Sequence, residues 1–246
     1  MSTLVCVKRV VDSSGQVVLT EDGQAVDGRY AGFTMSVHEE CAVEIAVRTG
    51  DATVMTLGDT DAVEQLRAAL AVGCTAATHV VADQQAFGPA DVAREIAAVV
   101  RDQGHDLVLL GNDASDTGDF QVGIRLAYEL GWPVVNGVTE VSVDDGVVTA
   151  RGAGPGGVET YRLPLPAVVT VLEGGVEPRY PTVPGRMRAK KVAIDEREPT
   201  SQPQGPGRVR LLLRPPVPSS VQVLGKGAEA APAVVDLFEQ LGVISR

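Results

Sequence analysis

The chain has 246 residues, 44% of them hydrophobic and 22% charged, with a formal net charge of −11. These values are typical of a globular protein with a substantial core, and the acidic balance disfavours nucleic acid or an anionic membrane as the main partner. No run approaches the roughly 18 apolar residues of a membrane helix, and the N-terminal residues lack a secretory pattern. Cys6, Cys41 and Cys74 are far apart, which is typical of reduced thiols. We therefore expect a cytoplasmic protein.

In the first half of the chain, short apolar runs alternate with amphipathic segments. The pattern predicts strands at residues 4–7, 52–57, 78–81 and 107–110, and helices at residues 38–48, 61–73, 90–103 and 119–130. A capping box of Asp61 and Glu64 is predicted to begin the second helix. Such alternation predicts an α/β fold, a Rossmann-like parallel sheet with helices on both faces.

The second half contains shorter β-type runs at residues 139–143, 147–151, 159–163 and 167–172, with a hairpin turn at residues 144–146. We predict that these runs form a β-rich extension of the same sheet. Residues 196–220 are rich in Pro, Gln, Ser and Gly and predict a linker or a partner-wrapping arm. A short amphipathic helix is predicted at residues 230–241.

Residues 173–191 form a loop in this interpretation, stiffened by prolines and ending in basic side chains. The prolines are Pro178, Pro181 and Pro184, and the cations are Arg186, Arg188, Lys190 and Lys191. Proline lowers the entropy lost when a loop is held in one shape for a partner. A plain solvated connection is the alternative interpretation.

Residues 111–123, GNDASDTGDFQVG, form a polar turn that leads into a helix after a buried strand. Ligands of open parallel sheets bind beyond the carboxyl ends of strands, where helix N-termini present free N–H groups to phosphate. Asp113, Asp116 and Asp119 would repel an anion and are also typical helix caps. A nucleotide site and a capping loop both remain open here.

Other catalytic patterns are missing from the sequence. It contains no Walker loop and no Gly-x-Ser-x-Gly elbow, and its three histidines lack metal-ligand spacing. Nothing nominates a nucleophile, an acid–base pair or a metal site, which disfavours a self-contained hydrolase or transferase.

Residues 163–191 contain the motif LP-x-PAVVT followed by EPRYP-x-x-P-x-x-M-x-AKK. This motif resembles the signature sequence of the electron transfer flavoprotein β subunits. Several other segments are also similar to that family. They are VCVKRVVD near the start, MSVHEECAVEIAVR at residues 35–48, LRAALAVGCTAATHV at residues 66–80, DLVLLGNDASD with QVG and LGWP, and the closing VVDLFEQLGVI. The chain resembles a divergent bacterial member.

The resemblance implies an electron carrier subunit that is not itself an enzyme. In this family the β subunit pairs with a larger α subunit that holds a redox-active FAD. The dimer takes electrons from dehydrogenases, chiefly acyl-CoA dehydrogenases, and passes them to a quinone oxidoreductase. The β subunit completes the FAD site and usually buries a structural AMP. The implied organisation is a nucleotide-binding domain over residues 1–191 and, over residues 192–246, an arm and helix that contact the partner subunit.

The resemblance also implies roles for individual residues. The implied cofactor contacts are Cys6, Ser36, Val37, His38, Glu39, Leu57, Gly111, Asn112, Asp116, Gln121, Val122, Gly123 and Ile124. The implied dehydrogenase-docking residues in the proline loop are Arg179, Tyr180, Pro181, Val183, Pro184, Met187, Lys190 and Lys191. Val183 stands where an exposed leucine is common.

Departures from the usual family sequence leave the identity of the bound ligand open. Ser36-Val37-His38 replaces the usual Asn-Pro-aromatic, and Phe120 and Val122 stand where Asn and Thr are common. The sequence Gln121-Val122-Gly123 is similar to that of the electron-bifurcating branch of the family. In that branch the β site holds a second FAD, and the protein oxidises NADH. A nucleotide-sensing α/β protein without redox partners is the other alternative.

Overall fold

The computed structural model describes residues 1–12, 14–15, 17–205, 210–215, 218–219 and 221–244. The chain divides into two compact units, Met1–Leu211 and Leu212–Arg246. Within the described residues the strands are β1 (Thr3–Cys6), β2 (Val10–Val11), β3 (Phe33–Thr34), β4 (Ala52–Gly58), β5 (Ala76–Val81), β6 (Leu107–Gly111), β7 (Val134–Val138), β8 (Glu140–Asp144), β9 (Val147–Gly154), β10 (Gly157–Pro164), β11 (Ala167–Val171) and β12 (Ile194–Arg197). The α-helices are α1 (Val37–Thr49), α2 (Val63–Val72), α3 (Pro89–Gln103), α4 (Val122–Leu130), α5 (Val183–Ala189) and α6 (Ala231–Gln240).

A seven-stranded parallel sheet forms the centre of the first unit, in the order β12-β5-β4-β1-β6-β11-β7. Its inner strands are continuous apolar runs, and Leu4, Val5, Val108 and Leu109 are fully buried. Strands buried on both faces are typical of parallel sheets, because the crossover helices cover both sides. The sheet confirms the predicted α/β class, and the central strands lie within two residues of their predicted bounds.

Helices pack on both faces of this sheet. Successive strand residues point to opposite faces, so Val5 packs in one apolar cluster with α1 and α2, whereas Leu4 packs in another with α3 and α4. Helix α5 also adds Ala189 to the first cluster. This two-sided core holds the carboxyl ends of β1, β4 and β6 at one edge of the sheet.

The predicted β-rich extension of the same sheet is wrong for three of its runs. Strands β8, β9 and β10 form a separate antiparallel sheet, whereas β11 and the additional strands β7 and β12 join the central one. The predicted hairpin turn is confirmed, with Asp145 and Gly146 at positive φ between β8 and β9. A strand such as β8 alternates exposed with half-buried residues, so it suits a sheet with one solvated face rather than a core covered on both sides.

Two predicted helix starts are also wrong. Helix α4 begins at Val122 rather than near residue 119, so residues 112–121 form a loop. The capping box predicted from Asp61 and Glu64 does not form. Instead, Asp59 accepts hydrogen bonds from the backbone N–H groups of Asp61 and Ala62 at 3.1 and 3.2 Å and caps a short 3-10 turn before α2.

The prediction of a proline loop over residues 173–191 is wrong for its second half, which contains α5. The Thr182 hydroxyl accepts a hydrogen bond from Gly185 N at 3.1 Å and caps this helix, and Pro184 lies in its first turn. Proline suits that position because the first N–H groups of a helix have no intrahelical partner.

The segment that follows α5 is also more ordered than the predicted linker. Strand β12 pairs with β5 at the sheet edge, and residues 200–205 are bound by two buried carboxylates of α3. Glu95 accepts hydrogen bonds from Thr200 N at 2.8 Å and Ser201 N at 3.1 Å. Asp91 accepts from Gln204 N at 3.1 Å and Gly205 N at 3.2 Å.

The second unit contains α6, close to the predicted helix at residues 230–241. One face of α6 and the residues after it are apolar and exposed, including Val235, Phe238, Leu241 and Val243. Among the described residues, no helix is both long and apolar enough to cross a membrane.

Candidate functional site

The candidate site is a cleft at the carboxyl edge of the central sheet. From β1 the chain proceeds to β4 and β5 on one side, and then crosses to β6 on the other side of β1. The carboxyl ends of β1 and β6 therefore diverge into loops that run in opposite directions. This switch point is where open α/β sheets bind ligands, and the cleft lies there.

Most of the residues that the sequence nominated for a cofactor lie together in this cleft. Its lining includes Cys6, Glu39, Leu57, Gly111, Asn112, Asp116, Gln121, Val122 and Gly123. Ser36, Val37 and His38 lie just outside the lining, at the N-terminus of α1. Ile124 is half-exposed and borders a different groove, between α3 and α4.

Sequence reasoning missed a second wall of the cleft. That wall is largely apolar and comes from β4, the start of α3 and the loop before it, with Met55, Phe87, Pro89, Val92 and Ile96. Lys8 and Gln84 add polar groups. Residues two apart on a strand face the same side, so Leu57 could have nominated Met55 on β4. The α3 residues, by contrast, enter the cleft only because α3 packs on the sheet.

The N-terminus of α1 is fixed by a capping box at the edge of the cleft. The Ser36 hydroxyl accepts a hydrogen bond from Glu39 N at 3.3 Å, and Glu39 Oε2 accepts from Ser36 N at 2.9 Å. A Cβ on Gly111 would lie 2.9 Å from Glu39 Cγ and 3.2 Å from Glu39 N. Only glycine therefore permits this helix terminus to lie against the end of β6.

Glu39 is a buried carboxyl group, 5% exposed, in the cleft lining. Burial raises the pKa of Glu39 to about 8, although hydrogen bonds from Ser36 and Lys8 and the charge of Lys8 oppose the shift. Burial also raises the pKa of the neighbouring Cys6 thiol, with a further contribution from Glu39. At neutral pH the cleft thus contains an uncharged thiol and a carboxyl group that carries a proton much of the time.

Two side-chain contacts connect residues 112–121 to other elements at the cleft, an ion pair with Lys8 and a contact with His38. Lys8, just after β1, lies 2.7 Å from an Asp116 carboxylate oxygen in the loop after β6. His38 Nδ1 lies 2.8 Å from Asp113 Oδ1. The Lys8 ion pair offsets the charge of Asp116 and so reduces the repulsion of an anionic ligand.

The N-terminus of α4 borders the cleft without a side-chain cap. Its first turn contains no acidic residue, and the Gln121 side chain accepts hydrogen bonds from Arg125 rather than from the helix N-terminus. The backbone N–H groups of Val122, Gly123 and Ile124 have no intrahelical partner. Together with the helix dipole, they form a favourable environment for phosphate.

Gly123 brings this helix terminus close to β11. A Cβ on Gly123 would lie 2.4 Å from Thr170 Cγ2. The Thr170 hydroxyl donates to Asn112 Oδ1 at 2.7 Å and accepts from Gly137 N at 2.9 Å. This network fixes the loop after β6 relative to β7 and β11, and hence the floor of the cleft.

A separate exposed surface lies on α5 and the residues before it. Tyr180 is 91% exposed, Val183 76% and Met187 55%, and these three residues are called the docking face here. Pro184, Lys190 and Lys191 are also exposed, and Pro181 is half-buried. Arg179 differs from these residues because its guanidinium is bound to the buried Glu44 at 2.7 Å.

The contact between Gly123 and Thr170 gives a stability prediction. We expect Gly123→Ala to destabilise the protein by about 1–3 kcal/mol, because the added methyl overlaps Thr170 Cγ2. Thr170→Ser removes that methyl and retains the hydroxyl, so the double variant should recover most of the loss. Urea unfolding of both single variants and the double variant measures this coupling. Additive effects of the two substitutions would contradict the assigned contact.

The buried Glu39 gives a pH prediction. Its pKa in the folded protein is about 8, above the ordinary value of about 4.3, so the folded state binds more protons than the unfolded state between these values. Wild-type stability should therefore fall relative to Glu39→Gln as pH rises through this window, with a slope up to about 1.4 kcal/mol per pH unit. Gln retains the acceptor for Ser36 N, which makes it a matched variant. Urea unfolding of both proteins between about pH 5 and 8 tests this, and parallel pH profiles would contradict it.

Comparison with known proteins places these features in a family. Residues 26–202 match the family model described as the electron transfer flavoprotein domain. The chain is 33% identical to the electron transfer flavoprotein subunit beta of Bacillus subtilis (strain 168) over 205 residues, which cover 80% of this chain and 79% of that protein. It is 36% identical to the subunit of the same name from Sus scrofa, over 79% of this chain and 80% of the relative. For the Homo sapiens subunit the values are 35% identity over 81% of this chain and 82% of the relative. The chain therefore belongs to the electron transfer flavoprotein β-subunit family.

Proposed function

We propose that this chain is the β half of a heterodimeric electron carrier of the cytoplasm. It pairs with an electron transfer flavoprotein α subunit and completes the site of the FAD that α holds. The dimer accepts electrons from dehydrogenases such as acyl-CoA dehydrogenases and delivers them to a quinone oxidoreductase. The bound FAD supplies the redox chemistry, whereas this chain binds a nucleotide, recognises donors and contacts α.

The observation that carries the proposal is the combination of two separate surfaces in one family member. The cleft has the switch-point position and the uncapped helix N-terminus of a nucleotide site. The docking face lies on another part of the first unit and exposes three large apolar side chains. A carrier subunit needs both a bound nucleotide and a surface for its donor.

AMP is the proposed ligand of the cleft. Gly111 and Gly123 let the N-termini of α1 and α4 lie against the sheet edge, where a Cβ would clash with Glu39 and Thr170. The N–H groups of Val122 and Gly123 favour the phosphate. Lys8 offsets the charge of Asp116. The apolar wall of Met55, Leu57, Phe87, Val92 and Ile96 suits the base. These residues fit an adenine nucleotide.

The docking face suits a dehydrogenase surface with an apolar pocket and an acidic rim. Val183 and Met187 lie one helical turn apart, and Tyr180 precedes them. Arg186, Lys190 and Lys191 are exposed around them. An apolar anchor surrounded by charge concentrates binding energy at its centre, while the cations steer an acidic partner.

The exposed apolar residues of the second unit are assigned to the α subunit in this proposal. Val235, Phe238, Leu241 and Val243 are too apolar to suit a solvated helix. Burial of such residues in a permanent heterodimer would stabilise both subunits.

The second candidate function is the β subunit of an electron-bifurcating flavoprotein, and the sequence Gln121-Val122-Gly123 favours it. In that case the cleft would hold its own FAD, and the dimer would oxidise NADH. The long apolar wall from β4 and α3 is compatible with a larger ligand. A nucleotide sensor without redox partners is disfavoured, because it would gain nothing from an exposed docking face.

The nucleotide content of the αβ complex tests the proposed ligand. We expect heat to release one FAD and one AMP per heterodimer, identified by mass spectrometry and absorbance, and we expect the isolated chain to hold little flavin. Two FAD and no AMP would support the bifurcating candidate. Failure of coexpression to yield any flavin-containing heterodimer would contradict the carrier function itself.

The docking face gives a kinetic prediction. We expect Val183→Ser to raise the KM of the complex as acceptor for an acyl-CoA dehydrogenase about tenfold, equivalent to about 1.4 kcal/mol of lost apolar contact. The rate at saturation should change little, because the substitution lies outside the nucleotide cleft. Val158 is similarly exposed, at 68%, but lies on β10, so Val158→Ser is the matched control. Equal effects of the two substitutions would argue against docking at α5.

A further inference from the structure

Helix α1 contains a buried carboxylate that serves neither the cleft nor the apolar core. The Glu44 side chain is 1% exposed, and its carboxylate binds two arginines. Arg48, one helical turn later, donates from Nε at 2.6 Å. Arg179, 135 residues away in sequence, donates from Nε to Oε2 at 2.7 Å and from a terminal nitrogen to Oε1 at 2.7 Å.

The contact with Arg179 also includes the main chain. Arg179 N donates to Glu44 Oε2 at 3.3 Å, so one carboxylate holds both the side chain and the backbone of this residue. Tyr180, the first residue of the docking face, follows directly. The hydrogen bonds from Arg179 lower the pKa of Glu44 to about 2, so the ion pair persists at all physiological pH values. A bidentate guanidinium–carboxylate pair defines an orientation as well as a distance.

The other end of the segment is bound to α2. An Arg67 terminal nitrogen donates to the carbonyl oxygens of Ala189 and Val192, the latter at 2.6 Å. A Cβ on Gly185 would lie 2.4 Å from Ala71 O, so α5 lies directly against the backbone at the end of α2. The docking face is therefore held between two attachments, one on α1 and one on α2.

We propose that Glu44 and Arg179 are positioning residues that hold the docking face in its binding shape before a donor arrives. This inference rests on the proposed function of that face. A segment already ordered in its bound shape loses less conformational entropy on binding. Removing the pair should thus weaken association with the donor, with little effect on electron transfer once the complex has formed.

Burial of Glu44 supports a role beyond general stability. A buried charge pair is often no more stabilising than an apolar pair of the same size, because both ions lose their hydration. Apart from Glu39 at the cleft, the other buried residues of α1 are apolar: Cys41, Ala42, Val43, Ile45 and Ala46. A charged residue in this setting specifies the position of Arg179, which an apolar contact would not do.

The test compares three variants of the αβ complex. Glu44→Gln retains the size of the side chain but loses the charge. Arg179→Lys retains the charge but loses the bidentate contact at a half-exposed position, so it provides a readout even if Glu44→Gln folds poorly. Arg48→Gln removes the other partner of Glu44 and leaves the contact with Arg179 in place, which makes it the matched control.

Two measurements on each complex separate positioning from stability. Hydrogen exchange over residues 176–192 should increase in Glu44→Gln and Arg179→Lys, and remain unchanged in Arg48→Gln. With a reduced acyl-CoA dehydrogenase as donor, KM for the complex should rise about tenfold in the first two variants, with kcat within about twofold of wild type. Flavin content should be equal in all four proteins.

The outcomes distinguish this inference from the proposed function. A wild-type complex that accepts no electrons from the donor contradicts the proposed function, and the inference with it. If wild type is active, an unchanged KM despite faster exchange overturns the positioning role alone. A fall in kcat at unchanged KM would also overturn it, because the pair would then act on electron transfer rather than on association.

Discussion

Close approach of two helix N-termini to the carboxyl edge of the sheet is the constraint on which the candidate cleft depends. Helix α1 lies against the end of β6 because Gly111 has no side chain, and α4 lies against β11 because Gly123 has none. The two termini differ in their polar groups. The first is closed by its own capping box, whereas the second has no side-chain cap and leaves its N–H groups to a ligand. The polarity of the site therefore follows from backbone packing as much as from its charged side chains.

Charged side chains are distributed differently on α5 and in the cleft. The chain carries a net charge of −11, yet Arg186, Arg188, Lys190 and Lys191 lie close together in and just after α5. A cationic patch on an acidic protein orients the molecule toward an acidic partner and keeps like molecules apart. In the cleft, by contrast, Lys8 is bound to Asp116, so its cation contributes little long-range attraction. The cations of α5 are thus exposed, whereas the cation of the cleft is neutralised by a carboxylate.

The sequence predicted the central sheet because its strands are apolar on both faces, a pattern that few other structures produce. The sequence left the loop over residues 111–123 open as a nucleotide site or a capping loop, since the carboxyl end of a buried strand is a general ligand position. In the structure residues of this loop line the cleft. Strands β8 to β10 were assigned to the wrong sheet, because alternating strands carry little information about their partners. The wall formed by Val92 and Ile96 was not predictable, because these residues look like ordinary core positions of an amphipathic helix.

Helix α5 shows how local patterns mislead at a functional segment. Pro181 and Pro184 predicted a loop, although proline in a first turn is compatible with a helix. What decides the outcome is tertiary: the Thr182 cap, the contact of Gly185 with α2 and the two arginine attachments. A helix of seven residues is too short to be stable alone in water. Its order must therefore come from these contacts, which the sequence pattern does not show.

Two buried glutamates on α1 illustrate how environment sets the state of one type of side chain. Burial raises the pKa of Glu39 to about 8 despite the opposing charge of Lys8, whereas hydrogen bonds from Arg179 lower the pKa of Glu44 to about 2. The contribution of Glu44 to stability is present above its ordinary pKa and is lost only as pH falls toward 2. The contribution of Glu39 to stability has the opposite pH dependence: it is present at low pH and is lost as pH rises toward 8. Near neutral pH the α1 end at the cleft is therefore sensitive to protons, whereas the attachment of the docking face is not.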